Sequence, residues 1–255
     1  MPEKIVFILS TGRTGTKALA EGLADEETMS PHQPPFSRLL TIASNFYIAG
    51  ILPKRTMKQL IFMVRKPQVA SSKKRYYIQA FALDHIPAYY FYHTYQNVYV
   101  IHIVRDPRTF IPSYLNWIKT RKRSFIANHF VPGWHPNGYL TREIPFKQWM
   151  RMKPYQKISW LWVYKNKYIE TSFRGTRRYA LVFFEDLFSS KGPEVLEEAL
   201  AVSGIPYRKS YDRVFAMKRN ESRKIFCPAW HEWSVPIQDK CIKICGDLMK
   251  HYGYF

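Results

Sequence analysis

Two short segments of the chain carry residue types that suit the binding of phosphate-like anions. The first is Ser10-Thr11-Gly12-Arg13-Thr14-Gly15-Thr16-Lys17, which follows the apolar run Ile5-Val6-Phe7-Ile8-Leu9. Gly12 and Gly15 permit a tight turn and a close backbone approach to an anion. A helix starting there points unpaired N–H groups and a positive dipole end at the same spot. Arg13 and Lys17 add charge, and Thr14 and Thr16 add hydroxyl donors. A kinase-type phosphate loop places Ser or Thr directly after its Lys. Here Ala18 follows Lys17, so the hydroxyl that would hold Mg²⁺ is missing. An ordinary glycine-rich turn is the alternative reading.

The second segment is Arg105-Asp106-Pro107-Arg108-Thr109-Phe110-Ile111-Pro112-Ser113. Arg105 ends an apolar run, and Ser113 lies about two helical turns further on. A guanidinium fork and a hydroxyl in that relation can clamp one phosphate. The alternative is local: Asp106 caps the helix and pairs with a neighbouring Arg.

The elements that must position these segments follow from the apolar patterning. Residues 4–9, 60–64, 98–104 and 179–184 read as buried strands. Residues 16–24, 38–52, 155–173, 193–203 and 236–251 read as helices, as does the run after Asp106-Pro107, with Pro in its first turn. Strands apolar on both faces, alternating with helices, predict an α/β, P-loop-like three-layer fold with a central parallel sheet flanked by helices. Ligands in such folds sit at the carboxyl ends of the strands, where both segments fall. Residues 1–255 read as a single domain. Residues 120–150, rich in Pro, Gly, His and Trp, are expected to be a lid or insertion over a second substrate.

The 255 residues hold 39 Lys plus Arg against 19 Asp plus Glu, a net charge of +20. That field attracts polyanions: a phosphate-rich cofactor, nucleic acid or an anionic surface. Basic runs such as Arg121-Lys122-Arg123 and Lys73-Lys74-Arg75 read as exposed faces. Cys227, Cys241 and Cys245 make no disulfide framework. Cys241 and Cys245 share one helix face and read as core, and no metal-ligand spacing accompanies them. The apolar stretch over residues 39–52 is too short to span a bilayer. No leader pattern precedes the first strand, so a cytoplasmic location is expected.

Together, in this order and roughly 90 residues apart, the two segments resemble the paired signature of sulfotransferases that use 3′-phosphoadenosine 5′-phosphosulfate (PAPS). The resemblance puts Arg13 where the family has a catalytic Lys or Arg beside the bridging oxygen. It puts Gly12, Thr14, Gly15, Thr16 and Lys17 on the 5′-phosphosulfate loop, and Arg105 and Ser113 on the 3′-phosphate ligands. Residues 179–187 resemble a structural strand followed by Glu-Asp-Leu, and the tail with Trp230, Trp233 and Gly246-Asp247-Leu248 is also similar to family members. Three departures separate the chain from the cytosolic steroid and phenol branch. Ala18 stands where that branch stacks a Trp on adenine, Val64-Arg65-Lys66 stands where its catalytic His segment lies, and its Arg-Lys-Gly motif has no match. Lys218-Arg219 and Arg223 are candidates for serving the same 3′-phosphate. The chain is thus more similar to the bacterial, natural-product and carbohydrate branches, including enzymes that sulfate saxitoxin-type alkaloids.

What the resemblance implies is in-line transfer of a sulfuryl group from PAPS to a hydroxyl or amine of a small-molecule acceptor, leaving PAP, with no metal, no nucleic acid and no membrane span. A carbohydrate or glycolipid acceptor is the runner-up. The rival classes are a nucleotide kinase and a basic nucleic-acid-binding protein. The acceptor hydroxyl needs a general base. His32, in Ser30-Pro31-His32-Gln33-Pro34, is similar to a His-Glu-Pro segment of bacterial members, with Gln33 in place of the acid. Glu26 and Glu27 are rival bases. His129 and His135 are candidates for acceptor contact, while His85, His93 and His102 read as structural.

Overall fold

The computed structural model of the chain describes residues 1–119, 135–216 and 226–255. Five parallel strands, β1 (Lys4–Ser10), β2 (Thr28–Met29), β3 (Tyr76–Ala80), β4 (Val98–Val104) and β5 (Tyr179–Phe183), form one sheet in the order β2-β3-β1-β4-β5. The helices in chain order are α1 (Thr16–Leu23), α2 (Ser37–Ile48), α3 (Lys54–Ala70), α4 (His85–Thr94), α5 (Pro107–Lys119), α6 (Phe146–Arg151), α7 (Pro154–Phe173), α8 (Phe184–Leu187), α9 (Gly192–Ala201), α10 (Arg213–Ala216) and α11 (Val235–His251).

β1 is the middle strand, in register with β3 from Lys4↔Tyr76 to Ile8↔Ala80 and with β4 from Ile5↔Val98 to Ser10↔Ile103. Its alternate side chains feed two cores, which is why the run is apolar throughout. Ile5, Phe7 and Leu9 join Leu40, Ile61, Phe91 and Ile169 from α2, α3, α4 and α7. Val6 and Ile8 join Leu19, Leu23, Leu196 and Val214 from α1, α9 and α10. A third cluster seats α5 against α7 and α11 through Phe110, Trp162, Cys241 and Cys245. These are the three layers expected, and Cys241 and Cys245 are core residues at 1% exposure each.

Residues 60–64 are not a strand. They lie within α3, whose buried positions Met57, Ile61, Arg65 and Val69 recur every four residues. Met63, in the middle of the apolar run, is exposed. A five-residue apolar run cannot by itself tell one helical face from a strand. The strand that does fill this place is β3, Tyr-Tyr-Ile-Gln-Ala, every residue of which is buried. Its Gln and tyrosines hide it from a purely apolar reading.

The chain runs from β1 out to β2 and β3 on one side, then returns to β4 on the other. The crevice at the carboxyl ends of β1 and β4 is therefore the topological switch point. Among the described residues, no helix is long and apolar enough to cross a membrane. Arg219, Arg223, Lys218, His129 and residues 120–134 of the expected lid lie outside the described residues. The remainder of that segment is a packed turn and α6: Glu143 accepts from Trp160 Nε1 at 2.8 Å, and the Trp149 and Trp160 rings meet edge to face.

Candidate functional site

The loop after β1 turns through left-handed backbone at Gly12 (φ +96°), Arg13 (φ +57°) and Gly15 (φ +73°). Ser10 Oγ holds the turn, accepting from the Gly12 amide at 3.1 Å and from Thr14 Oγ1 at 2.7 Å. At Gly15 the requirement is double: the φ disfavours a side chain, and a Cβ would stand 2.3 Å from the Phe188 ring. The first helical bond of α1 runs from the Leu19 amide to Gly15 O at 2.9 Å. The amides of Thr16, Lys17 and Ala18 precede it and open towards the loop. Thr11 Oγ1 is buried with no hydrogen-bond partner in the protein. A hydroxyl so placed at an amide-lined turn can donate to an anion seated there.

The segment after β4 meets this loop directly. Arg105 Nη1 donates to Arg13 O at 2.5 Å, and Arg105 Nε donates to Thr109 Oγ1 at 3.0 Å. Its guanidinium lies 4.4 Å from the centre of the Phe184 ring, and its carbonyl accepts from Trp162 Nε1 at 2.8 Å. Arg13 Nε donates to Ser113 Oγ at 3.2 Å. Arg13, Arg105 and Ser113 thus form one constellation at the switch point, although Arg13 and Ser113 are 100 residues apart in sequence. The local alternative for Asp106 is realised as well, with a different arginine. Arg108 takes its carboxylate, Nη2 to Oδ2 at 2.6 Å, and the Asp106 carbonyl accepts from the Phe110 amide at 2.8 Å. Glu185 ties the two strand exits together, accepting from the Asp106 amide at 3.1 Å.

Lys17 sits differently from Arg13. Its side chain is 54% exposed and pairs with Glu21 at 3.5 Å along α1. Its amide, not its ammonium, faces the turn in this arrangement.

His32 lies where the chain leaves β2, and its Nδ1 is 2.8 Å from Ala80 O at the carboxyl end of β3. A carbonyl can only accept, so Nδ1 is the donor and Nε2 is left to face away from this bond. The imidazole meets Phe81 edge to face. Glu26 and Glu27 are at the opposite end of the sheet. Glu27 O accepts from the Tyr76 amide at the start of β3, the Glu27 carboxylate pairs with Arg208, and Lys74 holds Glu26 O. Neither carboxylate reaches the loop, because Asp25, Glu27, Arg75 and Arg208 make a surface ion-pair network there. His102 is structural: it bonds Tyr179 OH at 2.9 Å and Asn166 Oδ1 at 3.0 Å, and burial pushes it from 6.5 down to about 4.

No protein-family model and no curated protein matches the sequence. Solved structures match over nearly the whole chain. The sulfotransferase domain from the curacin biosynthetic pathway has a TM-score of 0.56 at 16% identity, covering 97% of this chain and 98% of that one. The sulfotransferase domain from the Synechococcus PCC 7002 olefin synthase has a TM-score of 0.53 at 17% identity, covering 97% and 94%. A mouse sulfotransferase complexed with PAP has a TM-score of 0.53 at 13% identity, covering 98% and 86%. The fold is the sulfotransferase fold.

On this sulfotransferase fold, three residues near the loop escaped the sequence reading, and a fourth, His85, was expected to be structural. Phe184 and Phe188 wall it, the first under Arg105 and the second against Gly15. Lys165, on α7, is 1% exposed and donates to Ala82 O at 3.0 Å. His85 is 2% exposed, and neither of its ring nitrogens has a hydrogen-bond partner. The signal for Lys165 was in the sequence: a Lys on the buried stripe Trp162, Lys165, Ile169, Phe173 of an aromatic helix.

Proposed function

We propose that the protein is a sulfotransferase that moves a sulfuryl group from PAPS to a hydroxyl of a small natural-product acceptor. The observation that carries this is the joining of the two clamps: Arg105 binds the backbone of the loop whose Arg13 reaches Ser113. A donor with phosphates on both ends of one adenosine needs two such grips side by side. PAPS supplies the activated sulfuryl group. The loop amides, Thr11 Oγ1, Thr14 and Thr16 hold the 5′ end, and Arg105 with Ser113 holds the 3′-phosphate.

Arg13 and the start of α1 stabilise charge on the leaving oxygen, since both are fixed before the reaction and need no reorganisation. Lys17 adds its charge by leaving its Glu21 pair, an exposed contact that costs little to break. His32 Nε2 takes the acceptor proton while Ala80 O holds Nδ1–H and fixes the tautomer. The natural-product acceptor is supported by the folds matched, one from a biosynthetic pathway and one from an olefin synthase.

Thermal unfolding in the presence of PAP, of ATP with Mg²⁺ and of an oligonucleotide separates this reading from its rivals. Ligand binding to the folded state raises the midpoint. PAP alone is expected to give a large, saturable rise. A larger rise with ATP and Mg²⁺, or with the oligonucleotide, would replace the sulfotransferase reading with that of a kinase or a nucleic-acid-binding protein.

A further inference from the structure

The segment that carries His32 has little freedom of its own. Ser30-Pro31-His32-Gln33-Pro34-Pro35 holds three prolines in six residues, each with a locked φ that also restricts the residue before it. Its pose is therefore set by where it is pinned. At its entry, Met29 pairs with Tyr77 at the edge of the sheet. At its exit, Ser37 Oγ donates to Pro34 O at 2.6 Å, and Gln68 Nε2 donates to Pro35 O at 2.9 Å. Phe36, beside these pins, has left-handed backbone (φ +58°) and is 66% exposed. That backbone is strained for a residue with a Cβ, and an exposed ring recovers little of the cost. Strain of this kind persists only where the surroundings over-determine it.

Those surroundings are polar and buried. Arg65, on α3, is fully buried. Its Nη2 donates to Ser37 Oγ at 3.1 Å and to Asp84 Oδ2 at 2.8 Å, and its Nη1 donates to Gln68 Oε1 at 2.7 Å. Both pins on the His32 segment thus lead back to one guanidinium. Asp84 Oδ2 also accepts from Gln79 Nε2, and Gln79 Oε1 accepts from Tyr77 OH at 2.9 Å. Gln79 precedes Ala80, whose carbonyl accepts from His32 Nδ1. The network therefore starts beside the partner of the imidazole and ends on the chain just beyond it. Arg65 Nε and Asp84 Oδ1 are buried with no hydrogen-bond partner among the described residues. A buried ion pair left partly unmet adds little stability over apolar packing. What it does add is direction, because a planar guanidinium fork fits few arrangements of its partners.

We infer that Arg65, Gln68 and Asp84 are positioning residues for His32: they hold the proline-rich segment so that the imidazole keeps Nδ1 on Ala80 O and turns Nε2 away from it. They act through His32 and not on the reacting atoms. That His32 is the base rests on the sulfuryl-transfer reading; that its ring is held by this network does not. Removing Arg65 or Asp84 alone would strand a buried charge and can unfold the protein, so the two pins are the places to cut. Ser37→Ala removes the hydroxyl bond to Pro34 O and leaves Arg65 on Asp84. Gln68→Glu keeps an acceptor for Arg65 and loses the donor to Pro35 O.

Long-range proton–nitrogen NMR at about pH 8.5, above the ordinary imidazole range, reads which nitrogen of His32 carries the proton. In the wild type the proton is expected on Nδ1. In both variants the Nε2–H form should appear, and Nδ1–H should exchange about tenfold faster, as expected for the loss of one ordinary hydrogen bond. The signals of His102, bonded to Tyr179 and Asn166 in the core, should not move. PAP affinity should stay within about twofold, and the unfolding midpoint within about 4 °C. His32 signals unchanged in both variants overturn the inference. Movement of His102 together with His32 would mean a general loosening of the fold and overturns it too. A wild type that does not bind PAP, with His32 responding as expected in the variants, would remove the sulfotransferase reading and leave the positioning network standing.

Discussion

On the proposed function, Arg105 serves both architecture and binding. Its fork holds Arg13 O and Thr109 Oγ1, so the arginine that charges the site also sets the loop that cradles the ligand. Arg105→Ala is expected to weaken PAP by about 1.5–3 kcal/mol, the range of a charge-assisted contact. Equilibrium titration reads that as roughly ten- to hundred-fold in Kd. The opposite is expected of His32, which on the proposed mechanism meets the acceptor and not the donor. His32→Ala should leave PAP affinity within twofold and lower turnover of labelled PAPS by roughly 10²–10⁴. Full activity in that variant would move the base elsewhere. The two segments proposed to bind phosphate were legible in the sequence because their spacing is local: Gly12 to Lys17 spans one turn, and Arg105 to Ser113 two helical turns. Phe184 and Phe188 were not, because they reach the loop only through the sheet, from the distant exit of β5.

Elements bring the distant segments together. α5 carries Ser113 to Arg13, and the exit of β5 delivers Phe184 and Phe188 to the loop. The packing at Gly15 is the tightest link between these elements. Gly15→Ala must adopt left-handed backbone, at roughly 1–2 kcal/mol, and also displace Phe188. PAP affinity and the unfolding midpoint should therefore fall together. Adding Phe188→Ala should restore part of the midpoint by removing the overlap while leaving the backbone cost. A Gly15→Ala variant as stable and as tight-binding as the parent would contradict this packing. Strand identity was less legible than strand chemistry. α3 hides Ile61 under an exposed Met63, whereas β3 buries Gln79 and Tyr77, which bond each other at 2.9 Å. Polar residues satisfied inside a sheet mislead a reading built on apolar runs.

At the scale of the whole molecule, the parallel sheet places the loops argued for here at the carboxyl ends of its strands and leaves the ion-pair network of Asp25, Glu27 and Arg208 at the opposite end. The three layers were legible because β1 and β4 are apolar on both faces. The edge strand β2, two residues long, carries too little pattern to be seen. Buried histidines make the fold acid-sensitive. His102 is neutral in the core, its pKa lowered from 6.5 to about 4, whereas in the unfolded chain it takes a proton near the ordinary value. Its contribution is thus complete above about pH 6.5 and lost as pH falls towards 4, about 3 kcal/mol in all. Denaturant unfolding across pH 4–7 should show a slope to which His102 adds with the other buried histidines, and His102→Gln should reduce it by about one proton's share. An unchanged slope would mean that His102 is protonated in the fold.

The central claim is that one molecule is held at both ends by two segments of the chain. Titration calorimetry with PAP and with AMP, which lacks the 3′-phosphate, tests it in wild type and in Arg105→Ala. The expected result is one PAP per chain, bound at least tenfold more tightly than AMP by the wild type, with that preference largely gone in Arg105→Ala. Equal affinity for PAP and AMP in the wild type, or a preference that survives the loss of Arg105, would contradict the account.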